Sequence, residues 1–580
     1  MASAFLFIIL VFANLSMAAT FFEKGAVTTQ GWKQLDTAPN PIEPLFMSIA
    51  LQHPGIHAVS GIITSGARLS MDQISSLRQP DPRETENILL WLASNEITDA
   101  TVEKDWIHVR TTVTKGEELL KMKLHRYSFE DKQPVLRTTE YTVPDALLSA
   151  IDFIHPITNF MTPAHQIIAQ TIPPSLPIRQ RAIPTCSNVT TPDCITDRYR
   201  IGYKSPGSGS SVRFAIGGFL DQFANYADAD EFLQRTKPAI AKSRYNFSIE
   251  LAHGGRNLQD RAQAGSAANQ DIQYAMAIGY PTQITYLSTG GRGVKLDDSG
   301  NSIPKELSDN EPYLELVEHL LDFNDDILPH VLSLSYSDDE LSVSRPYAER
   351  VCSLFGMLAG RGVSIVVASG DGGMRGSRNS TCRTNNDGHN KETTMATFPG
   401  TCPWVTAVGA VTSSDNPPRG AFFSGGGFSQ WFERPTWQEE AVGGYVKALR
   451  GRLQGYYNPN KRAIPDISAL GTGFLTVING KDNILHGTGG SATVFASMIA
   501  LVNDARLRRG KRSLGWLNKK LYSPVVRKVL YDITDGVSKP CEFSGQDQTG
   551  WPAMEGWDAI TGLGTPGDFN ELLRVLVNVD

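Results

Sequence analysis

The stretch Ile484 to Val494, ILHGTGGSATV, runs directly into VFASMIALVNDARL, whose apolar residues recur at helical spacing. Small residues therefore stand where a strand turns into a buried helix, a place at which hydrolytic enzymes often expose a nucleophilic hydroxyl. In this chain the tightest position of that turn is Gly489, which carries no side chain. Ser491 follows two residues later, about 200° around a helix, and so faces away from whatever Gly489 faces. A serine at a helix start ordinarily satisfies backbone donors. Thr488 belongs to the entering turn. Asp371 lies between glycines in ASGDGG, where it either does chemistry or caps a turn, and Asp271 is either a working carboxyl or a buried polar group bonded to backbone. Asp338, Asp339 and Glu340 read as a solvated loop. The six cysteines show no CxxC and no pairing with histidine, which argues against zinc.

The elements that must hold these residues alternate in type. Residues 20–170 mix short β-rich runs (LFMSIAL, WIHVRTTV) with helical ones (ETENILLWLASN, EELLKMKLHRY), as a small α+β domain does. From Thr171 to Tyr203 the character changes. TIPPSLPIRQRAIPTCSNVTTPDC holds five prolines and no periodic apolar face, so 171–203 is expected to be an exposed linker and the region where processing falls. Beyond it, VRFAIGGF, HVLSLSYS, VSIVVASGDGG and WVTAVGAV are strand-like and are separated by helical runs such as ADEFLQRT and RPYAERVCSLFGMLAGRG. Continuous apolar strands between helices imply an α/β parallel sheet covered on both faces, with ligands at the carboxyl ends of its strands. Ser335 to Glu340, Ser369 to Gly373 and Leu485 to Ser491 are then expected to line one crevice.

Length alone allows roughly two to four domains, and 41% hydrophobic residues supply large cores. A net charge of -6 and a pI near 6.0 provide no basic field for nucleic acid. The apolar run from Ala4 to Ala13, followed by Ser16, Ala18 and Ala19, is too short to span a bilayer and ends like a signal-peptidase site. Residues 1–19 are read as a secretory signal, although no Lys or Arg precedes the run. No later stretch is expected to cross a membrane. An even number of cysteines and sequons at Asn188, Asn246 and Asn379 agree with an extracellular, secreted chain.

Taken together, DIQYA at Asp271, SLSYSDDE at Ser333, ASGDGG at Ala368, FPGTCPWVTAVG at Phe398, FSGGGFSQWFERPTWQ at Phe423, IPDISA at Ile464, YDIT at Tyr531 and GWDAITGLGTP at Gly556 resemble the sedolisins. These are secreted serine-carboxyl peptidases that include tripeptidyl peptidases. The motifs run in family order over roughly 204–580, and 20–170, ending in IDFIHPITNF, resembles the family's prodomain. The resemblance implies a subtilisin-like α/β catalytic domain preceded by an α+β prodomain.

In that family a Ser attacks the peptide carbonyl, a Glu accepts its proton, an Asp orients the Glu, and a protonated Asp hydrogen-bonds the oxyanion. Carried over, Gly489 falls on the nucleophile of Gly-Thr-Ser-Ala-Ser-x-Pro, and Ala267, four residues before Asp271, falls on the base. Asp271 keeps the orienting position and Asp371 the oxyanion position. The resemblance also implies Ca²⁺ bound by Asp532 and Asp558 with carbonyls of Ile533, Met554 and Gly556. It favours a Cys382–Cys541 disulfide, with Cys186–Cys194 local and Cys352–Cys402 left over. The expectation is a monomeric, calcium-binding homologue impaired in hydrolysis, with peptides or proteins as partners in its cleft. The alternatives are an active acid peptidase using Asp271 with Thr488 or Ser491, and a secreted structural protein with a closed cleft.

Overall fold

The computed structural model describes residues 19–24, 32–53, 56–129, 134–158, 160, 164–165, 168–171, 186, 189–207, 209–220, 222–290, 312–343, 345–377, 382–384, 391–412, 415–544 and 549–579. Nearly all of the signal segment, Arg179 to Arg181, Asn188 and Asn379 lie outside these residues. Asn246 is exposed. Among the described residues no helix is long and apolar enough to cross a membrane.

In the N-terminal domain the strand Pro44–Leu51 lies between Trp106–Thr112 and Ile151–His155, with Ala100–Glu103 at the edge, all antiparallel. Successive side chains point to opposite faces. One face, with Leu45, Met47, Ile49, Ile107 and Val109, packs on Ile88 and Leu92 of the helix Pro82–Ser94. That helix begins where Asp81 accepts from the Arg83 N–H and Pro82 takes the first turn. From the other face, Ala50, Trp106 and Phe153 join Tyr347, Val351 and Phe355 of the larger domain in one cluster. The expected helix through EELLKMKLHRY stops early, at Leu120. Lys121 turns left-handed at φ 47°, and His125–Phe129 becomes a strand against Trp32–Gln34.

The larger domain is built on seven parallel strands in the order Ser248–Ala252, Gln283–Thr289, Arg213–Gly218, Val331–Leu334, Ser364–Ala368, Thr406–Val411 and Ile467–Leu470. The last four of these, VLSL, SIVVA, TAVGAV and ISAL, are buried along their whole length, as strands covered on both faces must be. The helix Thr488–Leu507 is buried from Thr488 to Arg506 and crosses the sheet beside the equally buried helix Ser266–Gly279. HVLSLSYS is not one strand. After Leu334 the chain leaves the sheet, and Tyr336–Asp339 pairs instead with Thr397–Phe398. Nor is the acidic run after it solvated. Glu340 is fully buried and accepts from the Ser429 hydroxyl at 2.6 Å and from the Gln430 N–H, while Asp339 accepts from the Ser377 N–H at 2.7 Å. The disulfides are Cys186–Cys194, Cys352–Cys402 and Cys382–Cys541, as the resemblance implied.

A buried ion network joins the two domains. Asp105 of the N-terminal domain receives Arg78 at 2.8 Å and His53 from its own side, and Arg350 of the larger domain at 2.6 Å. Arg78 also reaches Glu318 of the larger domain at 2.6 Å, and Arg350 reaches Asp152 at 2.8 Å and the Leu51 carbonyl at 3.0 Å. Burial opposes charge on Asp105, but the His53 hydrogen bond and the Arg350 and Arg78 guanidinium groups hold its carboxyl well below the usual range. Removing one partner of such a network strands the others. Arg350→Met is therefore expected to lower the unfolding free energy by about 3–5 kcal/mol and to expose the N-terminal domain to protease first. Urea denaturation and limited proteolysis of the full chain check this, and unchanged curves contradict it.

Candidate active site

The turn at Gly487, with φ 150°, ends the strand Lys481–His486 and starts the Thr488 helix under the carboxyl ends of the sheet strands. Three expected loops do meet there. Asp371 Oδ1 accepts from the Thr488 N–H at 2.8 Å and from its hydroxyl at 2.9 Å, while Thr488 Oγ1 accepts from the Gly370 N–H at 3.1 Å. The Ser335 hydroxyl donates to the Gly489 carbonyl at 3.1 Å. Asp371 Oδ2 is buried without a hydrogen-bond partner among the described residues. Burial pushes the Asp371 carboxyl up to about 7, against the opposing hydrogen bonds from Thr488. A carboxyl held neutral at mildly acid pH is a hydrogen-bond donor, the state an oxyanion requires.

Asp271 is also buried, against the same helix one turn past Gly489. Its Oδ1 accepts from the Thr493 hydroxyl at 2.9 Å, and Ser335 is its second hydrogen-bond partner. Burial raises it to about 7 against the opposing hydrogen bonds with Ser335 and Thr493. Ala267, one turn earlier, is 1% exposed, and its N–H donates to Gln222 Oε1 at 3.2 Å. Gly489 and Ala267 are thus both enclosed, at the two positions where a nucleophile and a base are expected, and neither offers a side chain that can carry a proton. The neighbouring hydroxyls are committed. Thr488 is held on Asp371, whereas Ser491 lies 3.5 Å from the Gly487 carbonyl and beside Gly471, away from both carboxyls.

Sequence reasoning missed Ser335 and Thr493 as the partners of Asp271. Thr493 stands four residues after Gly489, one helical turn, which is the signal that marks it. Gln270, which cannot act as a carboxylate base, is buried with both amide atoms unpartnered among the described residues, and a Cβ at Gly490 would come within 2.2 Å of it. A further element had no sequence signal. The chain after the N-terminal domain crosses the site: Ala164 and His165 pair with Ser337 and Tyr336, and Ile168 to Thr171 pair antiparallel with His486 to Asn483. The strands on both sides of Gly489 are thereby extended by the protein's own backbone.

At the expected calcium position, Asp532 Oδ2 accepts from the Gly556 N–H at 2.7 Å, and Asp532 Oδ1 is buried without a partner among the described residues. Asp558 is fully buried and accepts from the N–H groups of Ile560 and Thr561 at 2.9 Å each. Among the described residues neither carboxylate makes an ion pair. Among the described residues no cluster of three or more His, Cys, Asp or Glu side chains occurs, so an ion here would depend on carbonyl oxygens, including those of Ile533 and Met554. An orphaned oxygen and an uncompensated buried carboxylate fit a hard cation.

Residues 30–160 match the family model described as the pro-kumamolisin activation domain. The chain is 35% identical over 574 residues to tripeptidyl-peptidase SED2 of Arthroderma otae, covering 94% of each. It is also 35% identical over 592 residues to tripeptidyl-peptidase sed4 of Aspergillus fumigatus, covering 96% of each. Among solved structures, it is similar to Pseudomonas sedolisin, a serine-carboxyl proteinase complexed with two molecules of pseudo-iodotyrostatin. That likeness has a TM-score of 0.48 and 18% identity, and it covers 68% of this chain and 99% of the other.

The two buried carboxyls set a pH dependence. Their pKa values rise on folding from 3.8 to about 7, so between those values the native state keeps protons that the unfolded chain releases. Their contribution to stability is complete below about pH 4 and is lost as pH rises through 7, at most about 4 kcal/mol for each carboxyl. Asp271→Asn and Asp371→Asn are expected to flatten the fall of the urea midpoint across that window. Parallel slopes in the parent and both variants would show that these carboxyls ionise normally.

Proposed function

The chain belongs to the sedolisin family of serine-carboxyl peptidases, and from that premise we propose that it is a secreted, calcium-binding member that has lost peptide hydrolysis and keeps its activation domain docked. The observation that carries the reading is the pair of side-chain-free positions, Gly489 beside Thr488 and Asp371, and Ala267 one turn before Asp271. Peptide hydrolysis in this family needs a hydroxyl to attack the carbonyl and a carboxylate to take its proton. Here Asp371 and the backbone around Gly489 keep the means to polarise a carbonyl, but no group forms the new bond. Removal of a serine-peptidase nucleophile leaves only about 10³–10⁴-fold over water.

What the cleft retains is peptide recognition by strand addition, in which main-chain hydrogen bonds hold an extended segment. Its present occupants are the paired residues 164–165 and 168–171. In a self-processing member of the family such a segment would be presented for cleavage, and without attack it stays in place. Calcium, held by Asp532, Asp558 and the carbonyls of Ile533, Met554 and Gly556, would supply only structural charge compensation for the half-buried Asp532 and the fully buried Asp558. The activity of the named relatives, tripeptide release, is what this chain has given up under this reading.

Two outcomes follow. Purified protein held at acid pH remains one polypeptide and does not hydrolyse peptides, while Gly489→Ser combined with Ala267→Glu restores cleavage in or beside 164–171. Concentration-independent self-cleavage of the unmodified chain, abolished by Thr488→Val or Ser491→Ala, would return the protein to the active peptidases. Chelation lowers the melting temperature. Ligand bound at a hundredfold over its Kd stabilises by about 2.7 kcal/mol, and Asp532→Ala or Asp558→Ala removes the chelator's effect. Melting that is indifferent to chelator and calcium takes the ion out of the reading.

A further inference from the structure

The seam between the two domains holds a second polar feature, far from the cleft in chemistry and opposite in charge. Arg68 lies in the short connection after the N-terminal helix Ile56–Thr64 and reaches into the larger domain. Its Nη2 donates to the Ser513 carbonyl at 2.5 Å and approaches the Ser513 hydroxyl at 3.4 Å. The seat is shaped for a guanidinium: a Cβ at Gly362 would lie 2.1 Å from Arg68 Nη1, and one at Gly515 2.4 Å. Both glycines have positive φ, 105° and 65°, so backbone and space alike exclude a side chain there.

Arginine in such a seat normally finds a carboxylate. Among the described residues Arg68 finds neutral oxygens and further cations. A cavity of about 530 Å³ opens over it, lined also by Arg506, Lys511, Arg512, Lys519 and Lys520, and none of its described lining residues is acidic. Lys519 donates to the Thr64 carbonyl of the N-terminal domain at 2.9 Å, and Arg506 is committed to the carbonyls of Arg512, Leu576, Val577 and Val579. Arg68, Lys511, Arg512 and Lys519 make no ion pair among the described residues. Burial, then the nearby Arg512 and Arg506 guanidinium groups, push Arg68 down to about 10. Low-dielectric walls concentrate such a field rather than dissipate it.

We propose that this cavity binds a tetrahedral oxyanion group, sulfate or phosphate, which bridges Arg68 of the activation domain to Lys511 and Arg512 of the peptidase-like domain. Guanidinium and ammonium donors converging from two directions match the several acceptor oxygens of such a group. Because the two sides of the cavity belong to different domains, the bound anion tightens their docking. The same chemistry is available from a free ion or from a sulfate ester on a glycan.

The test is thermal unfolding of the full chain at fixed ionic strength near pH 7, with chloride replaced stepwise by inorganic sulfate, inorganic phosphate or a sulfated disaccharide. A saturable rise in melting temperature is expected, accompanied by slower proteolysis of the N-terminal domain. It is lost in Lys511→Gln/Arg512→Gln, whose side chains are at least partly exposed and outside the Arg68 seat. Saturation with the inorganic ions identifies a free anion as ligand, and saturation with the disaccharide alone identifies an ester group on a glycan. No rise, or a non-saturating drift of equal size in parent and variant, overturns the proposal.

Discussion

Everything at the candidate site depends on burying the helix Thr488–Leu507 on all sides. A helix that packs on a sheet and on a second helix at once admits only small residues where those neighbours come closest. The run Gly489, Gly490, Ser491, Ala492 meets that demand, with Gln270 and Phe474 within reach of Gly490 and Ala410 and Gly471 near Ser491. The same burial desolvates Asp271 and Asp371, because both carboxyls touch this helix rather than water. A fold that makes these acids weak has already assembled the electrostatic half of an acid-pH hydrolytic site. The covalent half needs two further side chains, and their absence leaves packing intact, since glycine and alanine are what a crowded helix accepts with least strain. The proposed loss of chemistry is therefore compatible with retention of the fold.

The interdomain seam follows the opposite electrostatic rule. Asp105 is as buried as Asp271, yet His53, Arg78 and Arg350 converge on it and keep it ionised. Acidification thus neutralises Asp271 and Asp371 well before it reaches Asp105. Mild acid removes a penalty in the core without removing the attraction at the seam, so docking of the two domains outlasts the pH range in which the site carboxyls titrate.

How much of this was legible in the sequence depends on the range of the interaction. The strands Val331–Leu334, Ser364–Ala368 and Thr406–Val411 were readable because burial on both faces leaves an unbroken apolar run. The helix end at Leu120 was not, because Met122 and Leu124 continue the apolar pattern and only a left-handed turn at Lys121 breaks it. Asp339 and Glu340 resembled a solvated run because their partners Ser377, Ser429 and Gln430 come from segments distant in sequence. At the site, Gly489, Ala267, Asp271 and Asp371 were found through a family pattern. Their mutual geometry, and the seating of Ser335 and Thr493 on Asp271, exist only after the sheet has brought separate segments together.

The pairing of Ile168 to Thr171 with Asn483 to His486 had no sequence signal, since any extended backbone can add to a strand edge. Its consequence is energetic rather than chemical. A segment tethered to its own groove acts at an effective concentration on the order of millimolar for a short flexible connection, and here the activation domain anchors one end through the Asp105 network. A free peptide making the same main-chain bonds must exceed that concentration to displace it. Where a working nucleophile cuts the tether, the competitor diffuses away and the groove opens. Under the proposed loss of hydrolysis, the tether persists at Gly489, and the groove becomes available only when another protease severs the chain outside it or the Asp105 network releases the anchored domain. On that reading, access to the cleft is governed by the seam between the domains and not by the residues of the cleft.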